Sequence, residues 1–342
     1  MPMTEPGHAK DYPLSKTHTP MQALLDAIAH MPRPTDAVRI FHGRGGLHPG
    51  CEHLALDAYP PVWVLTSFAP LADDDLATLE TALRSRWAEL APGETLNWVF
   101  QCRLSGAGAT GTDTRLMGGS VPDPHVVTED NARYAVHVLR GQNHGLFLDM
   151  AEGRRWVRQH MAQCAQAREG QAYRPHIKVL NLFAYTCAFS VAALQGGADQ
   201  VLNVDMSHGA MGTGQHNHAL NGLGTGASFM MHDIFSTWGK ITRNGPYDLV
   251  IVDPPSYQKG SFVATKDYAR LVRRLPDLLT PGGHALLCLN APELDESFIH
   301  NLVHEGAPDL TFVQRLPNPA VFADATPERA LKVLLYRAPP LA

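Results

Sequence analysis

The chain has 342 residues, enough to bury a large core and to form two domains. It is 44% hydrophobic and 18% charged, and its net charge of −5 gives no global basic field of the kind that favours nucleic-acid binding, although a local basic patch would suffice. Five scattered cysteines without a C-x-x-C pair predict reduced thiols in the cytoplasm, and no stretch reaches the roughly 20 apolar residues that a membrane helix needs.

The first part of the chain predicts a small α+β domain over residues 21–135, which we expect to help recognise the substrate. Residues 1–20 contain several prolines and lack the apolar core of a signal peptide, so we expect a poorly ordered tail. Residues 106–119 are rich in glycine and threonine and predict a flexible loop. The apolar patterns predict helices and strands: helices over 21–30 and 73–90, and strands over 38–41, 63–68 and 97–104.

The remaining part, residues 136–342, predicts an α/β domain with a Rossmann-like, doubly wound and mostly parallel sheet, because strands and helices alternate along it. The predicted strands cover 134–139, 145–149, 179–182, 200–204, 228–231, 247–252, 284–289, 310–316 and 331–336. The predicted helices cover 156–167, 189–194, 209–220, 267–279 and 294–303.

One strand–loop–helix–strand unit has the pattern of a nucleotide site, KVLNLFAYTCAFSVAALQGGADQVLNVD over residues 178–205. Asp205 follows the loop residue Phe183 by close to the roughly 20 positions at which a carboxylate meets ribose hydroxyls. The loop lacks G-x-G-x-x-G, so a pyrophosphate cradle is not expected. An adenosine ligand without phosphates fits better, and S-adenosylmethionine is the obvious one.

Carboxylates end three of the predicted strands, where ligands sit in open α/β sheets. We expect Asp205 to accept from the ribose hydroxyls, Asp233 to accept from the adenine amino group with Ile234 against the ring, and Asp253 to lie beside the methylsulfonium. Ordinary turns at strand ends are the alternative interpretation, with most force for Asp233.

The sequence DPPSY follows the buried strand over 247–252 and is the most specific motif in the chain. Pro254 and Pro255 fix an extended backbone and withhold two N–H donors, so neighbouring carbonyls are left to accept from a substrate amino group. Tyr257 would offer a flat face to a base. We therefore predict catalytic positions at Asp253, Pro254, Pro255 and Tyr257, against the alternative of a stiff exit turn.

The motifs FLDM with Arg154, VLNLFAYT, VDMS, NHALNGL, DIF and DPPSY, in this order, resemble class I S-adenosylmethionine-dependent methyltransferases. The chain is most similar to the group that modifies bases of bacterial large-subunit ribosomal RNA, with cytosine-5 and guanine-N7 branches. The resemblance implies S-adenosylmethionine as methyl donor, S-adenosylhomocysteine as product and ribosomal RNA as substrate. It places the cofactor against Asp149, Asn181, Phe183, Tyr185, Thr186, Asp205, Met206, Ser207, Asp233, Ile234 and Asp253.

The chain departs from that family at several positions. Cys187 replaces a loop glycine, Ala151 stands where an arginine is usual, and the RNA-binding module of some members does not precede the match. The nucleophilic cysteine of the cytosine-5 branch corresponds to Ala291-Pro292, while Cys288 falls inside a strand as a buried apolar residue. These differences argue against cytosine-5 chemistry, and Asn290, which the guanine-N7 branch shares, favours methylation of nitrogen.

A basic helical face is predicted after DPPSY, where it could meet phosphates, and a solvated surface helix is the alternative. It comprises Lys259, Lys266, Arg270, Arg273 and Arg274, and Arg154, Arg155 and Arg158 could extend it. The HNH sequence over 216–218 is interpreted as surface histidines, and no metal site is expected. Methylation of a small molecule or protein, a non-catalytic cofactor- or RNA-binding role, and a homodimer stay open.

Overall fold

A computed structural model describes residues 21–104, 111–169, 176–255, 257–258 and 262–341. The predicted disordered tail over 1–20, Lys259 and the Tyr257 side chain lie outside these described residues. Within the described part, no helix has both the length and the apolar character required to cross a membrane.

The first sheet has five strands in the order β1 (Val38–His42), β2 (Leu54–Tyr59), β3 (Val62–Ser67), β4 (Asn97–Leu104) and β5 (Gly111–Gly118). Helix α1 (Gln22–His30) precedes it, and helix α2 (Asp73–Leu90) connects β3 to β4, which therefore run parallel. The apolar stripe of α2 packs on this sheet, and the Trp87 ring lies 6.1 Å from that of Trp63. The predicted α+β character of this region agrees with these elements.

The predicted flexible loop over 106–119 is wrong for its second half, because residues 111–118 form β5. This strand pairs antiparallel with β4 and satisfies backbone groups that would otherwise lie at an open edge. Gly119, with φ of +68°, ends the strand beside Asn97. The glycine and threonine composition concealed the pairing, which depends on β4 rather than on local propensity.

A hairpin follows, formed by β6 (His125–Glu129) and β7 (Ala132–Val136), with both turn residues at positive φ as in a type I′ turn. The prediction missed β6 and extended β7 to residue 139. Residues 145–149 are not an extended piece: Gly145 turns the chain at φ +102° and Leu148–Met150 form a single 3-10 turn. That turn leads directly into α3 (Ala151–Ala167), which begins five residues earlier than predicted.

The second sheet has seven strands and confirms the doubly wound, mostly parallel prediction. It comprises β8 (Lys178–Leu182), β9 (Gln200–Val204), β10 (Ala227–Met230), β11 (Tyr247–Val252), β14 (Leu279–Leu289), β15 (Thr311–Arg315) and β16 (Lys332–Arg337), whereas β12 (Tyr257–Gln258) and β13 (Phe262–Val263) pair only with each other. Its order is β10-β9-β8-β11-β14-β16-β15, with β16 antiparallel to both neighbours.

Helices cover both faces of the second sheet, which explains its continuous apolar strands. These helices are α3, α4 (Ala188–Gln195), α5 (His208–Leu220), α6 (Trp238–Asn244), α7 (Ala264–Val272), α8 (Leu275–Leu278) and α9 (Glu296–Gly306). Successive residues of β8 point to opposite cores, Leu180 toward α7 and α9, and Val179 toward α3 and α4. The prediction did not include α6.

The single helix predicted over 267–279 is wrong, because α7 ends at Val272 and α8 covers only Leu275–Leu278. Pro276 gives the reason: it has no N–H for the preceding turn, and its ring would clash with the Val272 carbonyl in a continuous helix. Leu279 then opens β14, so the sequence Pro281-Gly282-Gly283 lies inside a strand.

An apolar cluster lies at the junction between the two sheets. Tyr59, Val64 and Val99 of the first sheet pack in this cluster with Tyr134 of the hairpin and Val191 of α4. The chain near Phe322 also contacts β1, with the Ala325 N–H donating to the Gly45 carbonyl over 2.7 Å. The small sheet is therefore held beside the carboxyl ends of the second sheet.

Candidate active site

A cavity of about 690 Å³ opens at the carboxyl ends of β8, β9 and β11. The structure brings together there most of the residues that the sequence singled out. Those lining the cavity are Asp149, Phe183, Tyr185, Thr186, Asp205, Met206, Ser207, Asp233, Ile234, Asp253, Pro254, Pro255 and Asn290. Its size suits a nucleoside-sized ligand.

Among the predicted cofactor contacts, Asn181 is the exception, because it does not line the cavity in the described structure. Its side chain is buried within the sheet, where the Asn181 amide donates to Asn203 Oδ1 over 2.9 Å. The Asn203 amide in turn donates to Ser190 Oγ over 3.0 Å. The proposed contact of Asn181 with the cofactor is thus corrected to a structural role in the core.

The HNH sequence is only partly on the surface, so the prediction of surface histidines is wrong for His218. His218 is buried, with Nδ1 2.7 Å from the Gly214 carbonyl, to which it must donate, and Nε2 2.8 Å from Ser190 Oγ. Burial lowers the pKa of His218, which suits a neutral ring in this chain of hydrogen bonds. His216 remains exposed, and the described residues contain no group of three or more side chains able to hold a metal ion.

Asp205 organises the loop between β8 and α4. Its Oδ2 accepts from the Tyr185 N–H over 2.9 Å, and its Oδ1 accepts from the Ser207 N–H over 2.8 Å. Phe183, Tyr185 and Cys187 all have positive φ, between 48° and 60°, an uncommon backbone for side chains other than glycine. A carboxylate has about four acceptor positions, so two remain for ligand hydroxyls. This acceptor set fits a ribose.

Cys187 occupies a left-handed position, which explains why a glycine is usual there. Its side chain is fully buried and points away from the cavity, with Sγ 3.8 Å from Met211 Sδ. Gly214 of α5 leaves space for the Cys187 side chain, because a Cβ on Gly214 would lie only 2.5 Å from Cys187 Sγ. The Cys187 side chain is therefore accommodated behind the loop and does not line the cavity.

Asp233 begins the short 3-10 helix Ile234–Ser236, and its Oδ1 accepts from the Phe235 N–H over 3.1 Å. Among the described residues, no donor forms a hydrogen bond to the other carboxylate oxygen, so this oxygen can accept from the amino group of a ligand. Ile234 is buried and lines the cavity beside it. The pair offers an acceptor and an apolar surface, which is what an adenine ring requires.

The surroundings of Asp253 in the cavity disfavour the ionised form of its carboxyl group. Burial, reinforced by the nearby Asp149 carboxylate, raises the pKa of Asp253 to about 7, whereas Arg154 and a hydrogen bond with Cys288 act in the opposite direction. Burial also raises the pKa of Cys288 well above its ordinary value, so that residue stays a thiol. Cys288 is buried in β14 and does not line the cavity.

The three arginines at the start of α3 do not extend a basic surface, which corrects that prediction. Arg154 is buried and forms two hydrogen bonds to Glu129, of 2.6 and 2.7 Å, and a third to the Phe147 carbonyl. Arg155 pairs with Asp130, and Arg158 donates to the Asp130 carbonyl. Together they attach the β6–β7 hairpin to α3.

The basic face after DPPSY is also smaller than predicted. Because α7 ends at Val272, Arg273 and Arg274 lie beyond the helix. Arg270 pairs with Asp267 and lies 3.9 Å from the centre of the Phe235 ring, and Arg274 covers Trp238 at 5.6 Å. These arginines support the segment after Asp233, and Lys266 remains an exposed cation.

Nine cavity residues were not among the predicted site residues, and they include Asn143, Phe147, Phe235 and Leu331. Phe147 is 42% exposed and its ring lies 5.1 Å from Tyr185 at the cavity mouth. It belongs to the FLDM motif and could have been identified there. Leu331 comes from the far end of the chain, and no local pattern points to it.

Comparison with known proteins gives consistent matches. A family model described as S-adenosylmethionine-dependent methyltransferase matches residues 38–337. Ribosomal RNA large subunit methyltransferase I of Aeromonas salmonicida is 26% identical over 265 residues, 76% of this chain and 63% of that protein. Ribosomal RNA large subunit methyltransferase K/L of a Psychrobacter species is 36% identical over 182 residues, 50% and 21% of the two chains.

The chain thus spans less than two thirds of the length of these curated relatives. Among solved structures, a Streptococcus mutans protein described as a SAM-dependent methyltransferase superposes with a TM-score of 0.74. The alignment covers 95% of this chain and 83% of that one at 22% identity, and it shows a shared fold.

Proposed function

Because the chain belongs to the S-adenosylmethionine-dependent methyltransferase family, we propose that it methylates a nucleobase nitrogen in RNA, with large-subunit ribosomal RNA as the substrate. The observation that carries the proposal is the convergence of Asp205, Asp233 and Asp253, which follow β9, β10 and β11, on one cavity. The names of the relatives support ribosomal RNA. The proposed location is the cytoplasm, where such RNA is modified.

The cavity residues divide between the parts of the cofactor. Asp205 would hold the ribose hydroxyls, and Asp233 with Ile234 would hold adenine. Asp149 and Asp253 provide negative charge for the remaining, cationic part. When bound, S-adenosylmethionine supplies an activated methyl group on a sulfonium, so the protein needs mainly to position the acceptor and exclude water.

The proline pair beyond β11 is the proposed acceptor subsite. Pro254 and Pro255 line the cavity and offer carbonyl groups without N–H donors. An amino or imino group of a base can donate to such carbonyls, which turns its nitrogen lone pair toward the methyl group. Stacking of the base on Tyr257 remains part of the proposal.

Nitrogen is favoured over carbon as the acceptor because the chain offers no suitable thiolate. Methylation at cytosine C5 requires a nucleophile that attacks the base. Cys288 is buried, outside the cavity lining and strongly disfavoured as a thiolate, and Ala291 and Pro292 cannot serve. Asn290 lines the cavity, and we propose that it contacts the base.

Cofactor binding is tested by calorimetry with S-adenosylhomocysteine. Asp205→Ala removes charged hydrogen bonds to the ribose and should weaken binding by about 1–3 kcal/mol. Asp309→Ala removes the same charge from an exposed position of the same domain outside the cavity and should leave affinity unchanged. Equal affinity of the wild type and Asp205→Ala would exclude Asp205 from the site.

Methyl transfer is tested with radiolabelled S-adenosylmethionine and ribosomal RNA transcribed without modifications. We expect label in RNA, and mass analysis of its nucleosides should find the methyl group on a base nitrogen. Cys288→Ser should transfer methyl groups as the wild type does, whereas an inactive variant would indicate covalent chemistry. Label in protein or small molecules from a cell extract, with none in RNA, would favour the alternative substrate classes.

A further inference from the structure

A second cavity, of about 250 Å³, adjoins the large one on the side of the small sheet. The two share the lining residues Asn143, Phe147, Asp149, Asn290 and Leu331. Its far wall comes from β1, β2 and β4, so it lies at the junction between the small sheet and the second sheet. A ligand that enters the large cavity from this side would extend into the small one.

The small cavity is lined by four arginines, Arg39, Arg44, Arg103 and Arg329, and by three aspartates, Asp57, Asp149 and Asp324, so one positive charge is left over. Arg39 is matched by Asp57, through hydrogen bonds of 2.6 and 3.0 Å. Arg103 donates to the neutral oxygen Gln101 Oε1 over 3.1 and 2.8 Å, and Arg44 lies over the Phe68 ring at 4.2 Å. Among the described residues, no carboxylate lies within ion-pair distance of Arg44 or Arg103.

The two histidines of this cavity, His42 and His144, neither neutralise the arginines nor add positive charge. Burial and neighbouring arginines lower the pKa of His42 and of His144 to about 4, so both rings are neutral near pH 7. Burial and Arg39 lower the pKa of Arg44, and burial, Arg39 and Arg44 lower the pKa of Arg103 although Asp57 acts in the opposite direction. An anion between Arg44 and Arg103 would relieve this mutual repulsion, and the fork of guanidinium donors matches phosphate oxygens.

Phe68 keeps the two cations in place without neutralising them. Its ring lies 4.2 Å from the Arg44 guanidinium and 5.8 Å from that of Arg103. Arg103 is further fixed by Gln101, which is buried and donates to the Val138 carbonyl. The donors are therefore oriented before any ligand arrives.

We propose that Arg44 and Arg103 bind a backbone phosphate of the RNA strand beside the nucleotide whose base enters the large cavity. The inference rests on the proposed function and specifies what the small sheet contributes to it. The phosphate fixes the register of the strand, and Asn143, Phe147 and Asn290 lie between phosphate and base.

The test uses Arg44→Gln and Arg103→Gln, with Arg84→Gln as control. Arg84 is exposed on α2 and pairs with Glu80, so the control has the same net charge change on the same domain, outside the cavity. Binding of a fluorescent 20-nucleotide RNA of mixed sequence is measured by anisotropy at several salt concentrations. Each cavity variant should bind about tenfold more weakly, and the salt slope should fall by about one.

Two further measurements separate folding from binding. Arg103→Lys keeps the charge and should recover part of the affinity, and S-adenosylhomocysteine should bind all variants as it binds the wild type. An RNA with neutral methylphosphonate linkages should bind the wild type weakly and be insensitive to Arg44→Gln and Arg103→Gln.

The inference is overturned if the cavity variants bind RNA as Arg84→Gln does, or if mixed nucleoside monophosphates displace the RNA at equal nucleotide concentration. If the wild type methylates RNA in that case, the proposed function stands and only the phosphate site is lost. If the wild type neither binds nor methylates RNA, both fail.

Discussion

At the scale of single residues, the ionisation of Asp253 should make both the stability of the protein and its preference between ligands depend on pH. Its pKa is raised to about 7 by burial and by Asp149, from an ordinary value near 4. A native carboxyl with a raised pKa contributes its stability below the unfolded pKa and loses it as the pH rises through the native value. The unfolding free energy should therefore decrease from this group between about pH 4 and pH 7.

The first prediction concerns the two forms of the cofactor. S-adenosylmethionine is a cation at sulfur and favours ionised Asp253, whereas S-adenosylhomocysteine is neutral there. The ratio of their affinities should increase in favour of S-adenosylmethionine by about tenfold between pH 6 and pH 8. Calorimetry at several pH values measures this, and Asp253→Asn should abolish the change. A constant ratio in the wild type would show that the sulfonium lies away from Asp253.

A second residue-scale prediction follows from the contact between α5 and Cys187. In Gly214→Ala the added Cβ would lie 2.5 Å from Cys187 Sγ, so the variant should lose about 1–3 kcal/mol of unfolding free energy. In a Cys187→Gly background this loss should largely disappear, which urea denaturation of the four proteins can measure.

Gly212 provides the matched control on the same helix, because a Cβ there would meet no atom within 4 Å. Gly212→Ala should be neutral or stabilising by up to about 1 kcal/mol, since alanine is the better helix former. Equal losses for Gly212→Ala and Gly214→Ala, or no recovery with Cys187→Gly, would contradict the proposed packing.

At the scale of elements, α5 hydrogen-bonds to the edge of the β6–β7 hairpin in place of a further strand. Asn217 Oδ1 accepts from the Ala135 N–H over 2.8 Å, and its amide donates to the Thr186 carbonyl over 3.0 Å. One turn later, Asn221 both accepts from and donates to the backbone of Arg133. These bonds connect the hairpin, the helix and the cavity loop.

The element-scale prediction is that Asn217→Ala should be strongly destabilising. Asn217 is fully buried, so the variant leaves the Ala135 N–H and the Thr186 carbonyl without partners. We expect a loss of about 2–3 kcal/mol of unfolding free energy, measured by urea denaturation. His216→Ala, next to it on the exposed side, should change stability by less than about 0.5 kcal/mol. Similar values for both would contradict the role of Asn217.

The same elements explain which features could be predicted from sequence. Strands buried on both faces, such as β9 and β11, are visible as short apolar runs, and the aspartates at their ends are therefore correctly placed in the cavity. Strand β5 could not be predicted from its own residues because its stability comes from its pairing with β4. The break before α8 was not predicted because the helical pattern continues past Pro276 in the sequence.

Site residues that depend on distant contacts could not be predicted in the same way. Arg154 has the appearance of a surface cation, but Glu129 on the hairpin buries and neutralises it. Asn181 precedes the cavity loop by only two positions, yet its side chain points into the sheet toward Asn203. In each case the partner lies more than 20 positions away in the chain.

At the scale of the whole molecule, the apolar cluster that joins the two sheets predicts a single cooperative unfolding transition. The cluster takes residues from the small sheet, the hairpin and α4, so the unfolding of one part exposes apolar surface that the other part buries. Tryptophan fluorescence and far-UV circular dichroism should give coincident urea curves.

The tryptophans allow the two parts to be observed separately. Trp63, Trp87 and Trp98 belong to the small sheet and α2, whereas Trp156 and Trp238 belong to the other part. A Trp156→Phe, Trp238→Phe double variant therefore reports on the small sheet alone. Its fluorescence transition should coincide with the dichroism of the same protein, and separate midpoints would show that the small sheet unfolds independently.

The hold of Asp205 on the backbone of the Phe183–Cys187 turn has a consequence for how a nucleoside meets this protein. The unusual bend is already made by intramolecular bonds to Tyr185 and Ser207 when the chain reaches its native state. The pocket is therefore shaped during folding, and an arriving nucleoside does not have to order this turn.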